Sequence, residues 1–167
     1  MRDILLDTCV WSDWYDVAKN TYIIKKLERE QDIRIYLSAV TLGELQYGFD
    51  VLSQREKQEL GDVIEFVHGQ GPTIVEINRH VAREYGRIRA KLFDRFAPNE
   101  KKRKGLRPEQ LRDPVTSLEL GIQENDLWIA AQAITYDLIL VTNDKLKRIR
   151  EVVGDELHIE NWAAEKP

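Results

Sequence analysis

Short, continuous apolar runs alternate along the chain with longer stretches in which apolar residues recur every three or four positions. Residues 3–6 (Asp-Ile-Leu-Leu) read as a buried strand ending at Asp7. Residues 11–30 carry Trp14, Val17, Ile23, Ile24 and Leu27 at helical spacing, which predicts one helix. A second strand is expected over 33–38, followed by a helix from Thr41 to about Leu52 and another over 54–70, stopped by Gly71-Pro72. Residues 73–77 predict a third strand. Over 78–96, Val81, Tyr85, Ile88, Leu92 and Phe96 form the apolar stripe of an amphipathic helix. The pattern then lapses across 98–121, a long basic loop with a turn of helix expected near 109–112. It resumes as a helix over 125–136 that is apolar nearly all round and should be buried. Residues 138–142 (Leu-Ile-Leu-Val-Thr) are a continuous apolar run of parallel-sheet type. A short helix from Asp144 and a strand near 157–160 complete the series. Strands alternating with helices predict an α/β sandwich with a mostly parallel sheet.

At 167 residues the chain is expected to be a single domain over 1–167, with 98–121 as a basic loop insertion. Apolar residues make up 43% and charged residues 32%, the balance of a water-soluble globular protein. No stretch free of Asp, Glu, Lys and Arg exceeds ten residues, too short for a membrane-spanning helix. The opening apolar run breaks at Asp7, unlike a signal-peptide core. The single cysteine, Cys9, allows no intrachain disulfide, and His68, His80 and His158 lack ligand-like spacing. A cytoplasmic location without membrane association is the expectation.

Net charge is −4, but its distribution is uneven. Residues 79–107 hold eleven Lys or Arg and three Asp or Glu, a net of +8, against −12 for the remainder. Such asymmetry fits a polyanion footprint beside a cation site. It equally fits solvated helix faces whose opposite charges neutralise one another in the fold.

In parallel α/β sheets, ligands bind beyond the carboxyl ends of the strands, near a topological switch point. Asp7 ends the first predicted strand, and Asp144 follows the 138–142 strand by two residues. Glu44 lies early in the helix after the second strand, and Asp126 in the first turn of the buried helix. Each also has a structural explanation. Asp7 and Asp144 suit turn caps, Thr41-x-x-Glu44 fits a capping box, and Asp126 behind a capping Asn125 suits the helix macrodipole. Brought to one rim, four carboxylates would repel by roughly 3–4 kcal/mol per pair at about 4–5 Å and an effective dielectric near 20. Protons or cations must then compensate them. An oxygen-only donor set selects hard ions, Mg²⁺ or Mn²⁺, whose coordination phosphate oxygens commonly complete. Phosphodiester chemistry is the activity these residues suggest.

At these residues the chain resembles a PIN domain, specifically a VapC-type toxin of a bacterial type II toxin–antitoxin pair. Ile4-Leu-Leu-Asp7-Thr8 is similar to the family's first motif, and Leu37-Ser-Ala-Val-Thr-Leu-Gly-Glu44-Leu to the second. Glu124-Asn-Asp126-Leu-Trp-Ile-Ala-Ala131 is similar to the third and is the most specific, and Leu140-Val-Thr-Asn-Asp144 to the fourth. The ordered set covers nearly the whole chain. The resemblance implies a PIN-like three-layer sandwich, with a mostly parallel five-stranded sheet flanked by helices. It implies a Mg²⁺- or Mn²⁺-dependent endoribonuclease acting on single-stranded RNA (tRNA, rRNA or mRNA). Asp7, Glu44, Asp126 and Asp144 would be the catalytic metal ligands, with Thr8 and Thr142 supporting them. It also implies a homodimer and neutralisation by a VapB-type antitoxin. The 98–121 segment exceeds the compact family pattern. Its Lys101, Lys102, Arg103, Lys104 and Arg107 are candidates for RNA binding. Trp11, Trp14 and Tyr15 suit either a subunit interface or the protein's own core.

Other readings fit less well. A haloacid-dehalogenase-type phosphatase needs an aspartate where Cys9 stands, and a receiver domain needs an early acidic pair. No Walker-type phosphate loop is present. A PIN-like flap nuclease carries additional acids and a DNA-binding arch. A non-catalytic PIN-fold RNA-binding or scaffold protein is the alternative from a different class.

Overall fold

The computed structural model describes residues 1–30, 32–60, 62–99 and 105–165. Five parallel strands, β1 (Arg2–Leu6), β2 (Ile33–Ser38), β3 (Thr73–Val75), β4 (Ile139–Val141) and β5 (Ile159–Glu160), form one sheet in the order β3-β2-β1-β4-β5. The expected five-stranded α/β arrangement is present, and every pairing is parallel. Helices α1 (Thr8–Tyr15), α2 (Thr21–Arg29), α3 (Ala39–Asp50), α4 (Gln54–Leu60), α5 (Val63–Gly69), α6 (Arg79–Phe96), α7 (Glu124–Tyr136) and α8 (Lys147–Val153) complete the chain. Among the described residues no helix is long and apolar enough to cross a membrane.

The sheet separates two cores. Ile4 and Leu6 of β1 pack with Trp11, Trp14, Ile23, Leu45 and Val67 on one face. Leu5 packs with Val81, Ile88, Leu92, Leu127, Ala130 and Ile149 on the other. Burial on both faces explains why residues 4–6 of β1 and the whole of β4 read as unbroken apolar runs rather than alternating ones. Tyr85 of α6 stacks on Trp128 of α7 with ring centroids 3.7 Å apart, locking these two helices together.

The structure corrects several boundaries. The helix expected over 11–30 is two, α1 and α2, because residues 16–20 form a turn in which Asp16 accepts the Ala18 amide and pairs with Lys19. The helix expected over 54–70 is also two, since Asp62 caps α5 by accepting the Ile64 and Glu65 amides. Helix α3 begins before Thr41. Ser38 is its cap, accepting from Val40 and Thr41, so Thr41-x-x-Glu44 is not a capping box. Trp11 and Trp14 are buried and stacked on each other at 5.2 Å, which assigns both to the core and removes them from any interface.

Gln132 of α7 is fully buried, yet polar. It accepts from the Ser38 hydroxyl at 2.5 Å and donates to the Val75 carbonyl at 2.7 Å, stapling α7 to β2 and β3. Gln132→Ala removes the acceptor of the Ser38 hydroxyl and the side-chain donor to the Val75 carbonyl, and opens a cavity. The expected cost is about 2–4 kcal/mol, read as a lower denaturation midpoint with an unchanged slope. A loss below about 0.5 kcal/mol, the range of an ordinary surface substitution, would show that the staple carries no stability.

Candidate active site

Strand register sets the site. Leu6 of β1 stands beside Leu37 of β2 and Val141 of β4, so Asp7, Ser38 and Thr142 leave the sheet at one level. The Asp7 amide donates to the Val141 carbonyl at 3.0 Å, carrying this alignment one residue past the strands. The crevice between β1 and β4 is where the strand order reverses direction, the switch point at which such sheets bind ligands.

Hydrogen bonds then link the predicted acids through short polar side chains. The Thr142 hydroxyl donates to Asp7 Oδ2 at 2.7 Å and accepts the Asp144 amide at 3.0 Å. On the other side the Thr8 amide donates to Asp7 Oδ1 at 2.7 Å, while the Thr8 hydroxyl donates to Glu44. The Thr41 hydroxyl lies 3.2 Å from that of Thr8. Glu44 Oε1 accepts from Asn125 Nδ2 at 2.6 Å, which ties α3 to the first turn of α7. Asn125 is therefore not the cap of α7. That position belongs to Gln123, whose amide is accepted by Asp126. Thr8 and Thr142 thus each bond two segments that carry these carboxylates.

Asp126 joins the group electrostatically. Its carboxyl is pushed up to about 7, first by burial, then by the charges of Asp7 and Asp144 and, more weakly, of Glu44. Asp7, Asp144 and Glu44 thus all act on Asp126, and none of the four acids forms an ion pair with a described residue. Among the described residues no three His, Cys, Asp or Glu side chains converge as a ready-made cation cage. The donor set still suits a hard cation. All its oxygens are carboxylate or hydroxyl, and Mg²⁺ retains several waters, so spaced carboxylates can hold it without closing around it.

Three features escaped the sequence reading. Cys9 lies beneath the site, its thiol 3.5 Å from Asp7 Oδ2 and accepting the Asn143 amide at 3.4 Å. Burial and the Asp7 charge push this thiol up to about 11, leaving it protonated and unreactive. Asn143 is clamped from below, donating to Asp13 at 2.9 Å and lying 3.2 Å from the Tyr22 hydroxyl. Finally, a cleft of about 280 Å³ opens beside Asp126 and Asp144 and includes Lys145, Lys147 and Arg148. The basic run following Asp144 was its only signal in the sequence.

The predicted basic band is partly neutralised. Arg87 pairs with Glu84 and Glu156, Lys91 with Glu156 at 3.2 Å, and Arg89 with Glu124 at 3.3 Å. Arg83, Arg95 and Arg107 are exposed. Lys101, Lys102, Arg103 and Lys104 lie outside the described residues. The rest of the insertion is tied to the site. Arg89 donates to the Leu106 carbonyl at 2.8 Å, Glu109 accepts the Glu124 amide at 2.9 Å, and Asp113 pairs with Arg148 at 3.6 Å. Leu111 and Ile122 are buried, and the expected turn of helix spans Pro108–Gln110.

The family model of the PIN domain matches residues 4–152. No curated protein is matched in sequence. Among solved structures, VapBC2 from Rickettsia felis, bound to a DNA fragment from its promoter, is similar. It is 25% identical, with a TM-score of 0.64 over 96% of this chain and 98% of that one. DNA-bound VapBC from Salmonella typhimurium is 24% identical, with a TM-score of 0.63 over 97% and 99% of the two chains. FitAcB from Neisseria gonorrhoeae is 23% identical, with a TM-score of 0.62 over 96% and 98%.

Proposed function

The chain belongs to the PIN domain family, and from that premise we propose that it is a VapC-type toxin: a Mg²⁺- or Mn²⁺-dependent endoribonuclease acting on single-stranded RNA. One observation carries the reading. At the β1/β4 switch point the charges of Asp7, Asp144 and Glu44, from three other segments, all bear on the half-buried Asp126, with no described cation paired to any of the four. Asp7, Glu44, Asp126 and Asp144 would hold the ion. When bound, the ion supplies Lewis acidity toward the phosphodiester and lowers the pKa of the attacking water. The protein's own part is orientation. Thr142 fixes Asp7 relative to Asp144, Thr8 fixes Asp7 relative to Glu44, and Asn125 holds Glu44 against α7. Without a cation the Asp126 carboxyl holds its proton to about pH 7, and a bound divalent ion would displace that proton.

A VapB-type antitoxin is the proposed partner, because the similar solved structures are VapBC complexes. A groove lined by Tyr15, Leu45, Phe49, Leu52 and Val63 runs beside Thr8 and Glu44 and offers an apolar seat next to the site. Self-association is part of the proposal and is tested by sedimentation. A 19.5 kDa species alone at micromolar concentration rules it out.

The decisive assay is metal removal. Cleavage of single-stranded RNA should vanish on adding EDTA and return with excess Mg²⁺ or Mn²⁺. Cleavage that persists through exhaustive chelation would refute metal dependence. RNA that is bound but never cut, with any divalent ion, would favour the non-catalytic reading.

A further inference from the structure

The cleft beside Asp126 and Asp144 has walls of opposite character. One comes from the insertion, through Leu120, Gly121 and Ile122, and the other from the loop after β4 and the start of α8. The second wall holds three cations in four residues, Lys145, Lys147 and Arg148. Arg148 is already engaged. It pairs with Asp113 of the insertion at 3.6 Å and with Glu151 at 3.0 Å, and lies 5.5 Å from the Phe96 ring centre. It braces the two walls. Lys145 and Lys147 are exposed and make no ion pair with a described residue, although they line the same cleft as two carboxylates.

Their placement is set by backbone geometry. Leu146 between them adopts a left-handed conformation, φ 43°, unusual for a bulky residue. Its side chain is nonetheless buried, and its amide donates to Asp144 Oδ1 at 3.3 Å. The turn is thereby anchored at its apolar residue and at the acid, leaving a lysine on each side of the anchor. Lysines placed only to offset the acids would gain most by pairing with them directly. Cations held beside the acids but unpaired suit a ligand that spans both charges. A phosphodiester chain does so: one phosphate faces the acids and their cation, and a neighbouring phosphate requires positive charge.

We infer that Lys145 and Lys147 hold a non-scissile phosphate of the RNA strand next to the one that is cut, so that the cleft between the insertion and α8 is a one-step phosphate subsite. This rests on the ribonuclease reading above. The subsite reads backbone and not base, so it sets where the strand lies without choosing its sequence. It also gives Leu120, Gly121 and Ile122 a definite role as the facing wall.

The test is the double variant Lys145→Gln/Lys147→Gln, with Lys145→Arg/Lys147→Arg as the charge-conserving control. In cleavage of a single-stranded oligoribonucleotide, KM should rise about tenfold, with the log–log salt dependence flattened by up to about 1.4, or 0.7 per lost contact. The saturated rate and cut position should hold, and the Arg pair should restore the salt slope. Unchanged KM and salt slope would overturn the inference, as would a lower half-saturating Mg²⁺ with RNA parameters untouched. That last result would mean the lysines only oppose the cation. Binding of the same oligonucleotide, measured by anisotropy in an Asp126→Asn background with Mg²⁺, separates this inference from its premise. A wild type that cuts no RNA defeats the ribonuclease reading, while a flattened binding slope in the lysine variant would still uphold the phosphate contact. An unchanged binding slope defeats the contact whatever the wild type does.

Discussion

Asp126→Asn should lower single-turnover RNA cleavage by roughly a thousandfold, equivalent to about 4 kcal/mol of transition-state stabilisation, while the far-ultraviolet circular dichroism stays that of the wild type. The substitution is nearly isosteric, and an amide oxygen can still accept the Gln123 amide at the start of α7. What it removes is a proposed cation ligand, a half-buried carboxyl that lies in the charge of Asp7, Asp144 and Glu44. The competing explanation is that Asp126 merely caps its helix by accepting that amide. A cap would be preserved by Asn, and activity would stay within a few-fold of wild type. The same variant therefore separates the two roles, which sequence alone left open.

The second expectation concerns stability in the absence of divalent ions. The Asp126 carboxyl titrates at about 7 in the fold against 3.8 for the unperturbed group, so the folded state binds this proton more tightly than the unfolded state. The associated stability is fully present below about pH 4, falls as pH rises, and is gone above about 7. Asp126→Asn has no such dependence. The two proteins should match near pH 4, and the variant should be more stable above pH 7. The difference is on the order of 2–4 kcal/mol, or about 5–10 °C in Tm. Thermal melts of both proteins in EDTA from pH 4 to 8 measure it. A difference that stays flat across this range would show that the acids do not share a field. Saturating Mg²⁺ should narrow or close the gap, since an ion at a hundred times its Kd adds about 2.7 kcal/mol to the state that binds it.

Much of the architecture was legible because burial on two faces writes itself into composition. Leu5 faces one core while Ile4 and Leu6 face the other, so β1 could only be a run of large apolar residues. The amphipathic stripe of α6 was equally plain, and the structure makes Asn78 its cap. Breaks inside helical patterns were not legible. Residues 16–20 and the cap at Asp62 interrupt stretches whose apolar spacing continues on both sides. Local periodicity cannot record where a chain must turn to follow the sheet's surface.

The site divides along the same line. Residue type and order determined the chemical expectation for this protein. Asp7 and Asp144 stand just past strand ends and Glu44 and Asp126 early in helices, with hydroxyl residues beside two of them, and this oxygen-rich set carried the expectation of a hard cation. Tertiary structure alone decided who touches whom. Asn125 looked like a helix cap and instead holds Glu44, 81 residues distant. Trp11 and Trp14 looked equally suited to an interface and to a core, and the core took them. The insertion looked like a loose basic loop, yet Glu109, Asp113 and Leu106 fasten it to α7, α8 and α6. Each outcome depends on strand register and on which helix lies across which crevice. These are contacts between distant segments, whose free energy is a sum over the whole core and leaves no periodic trace in the residues that make them.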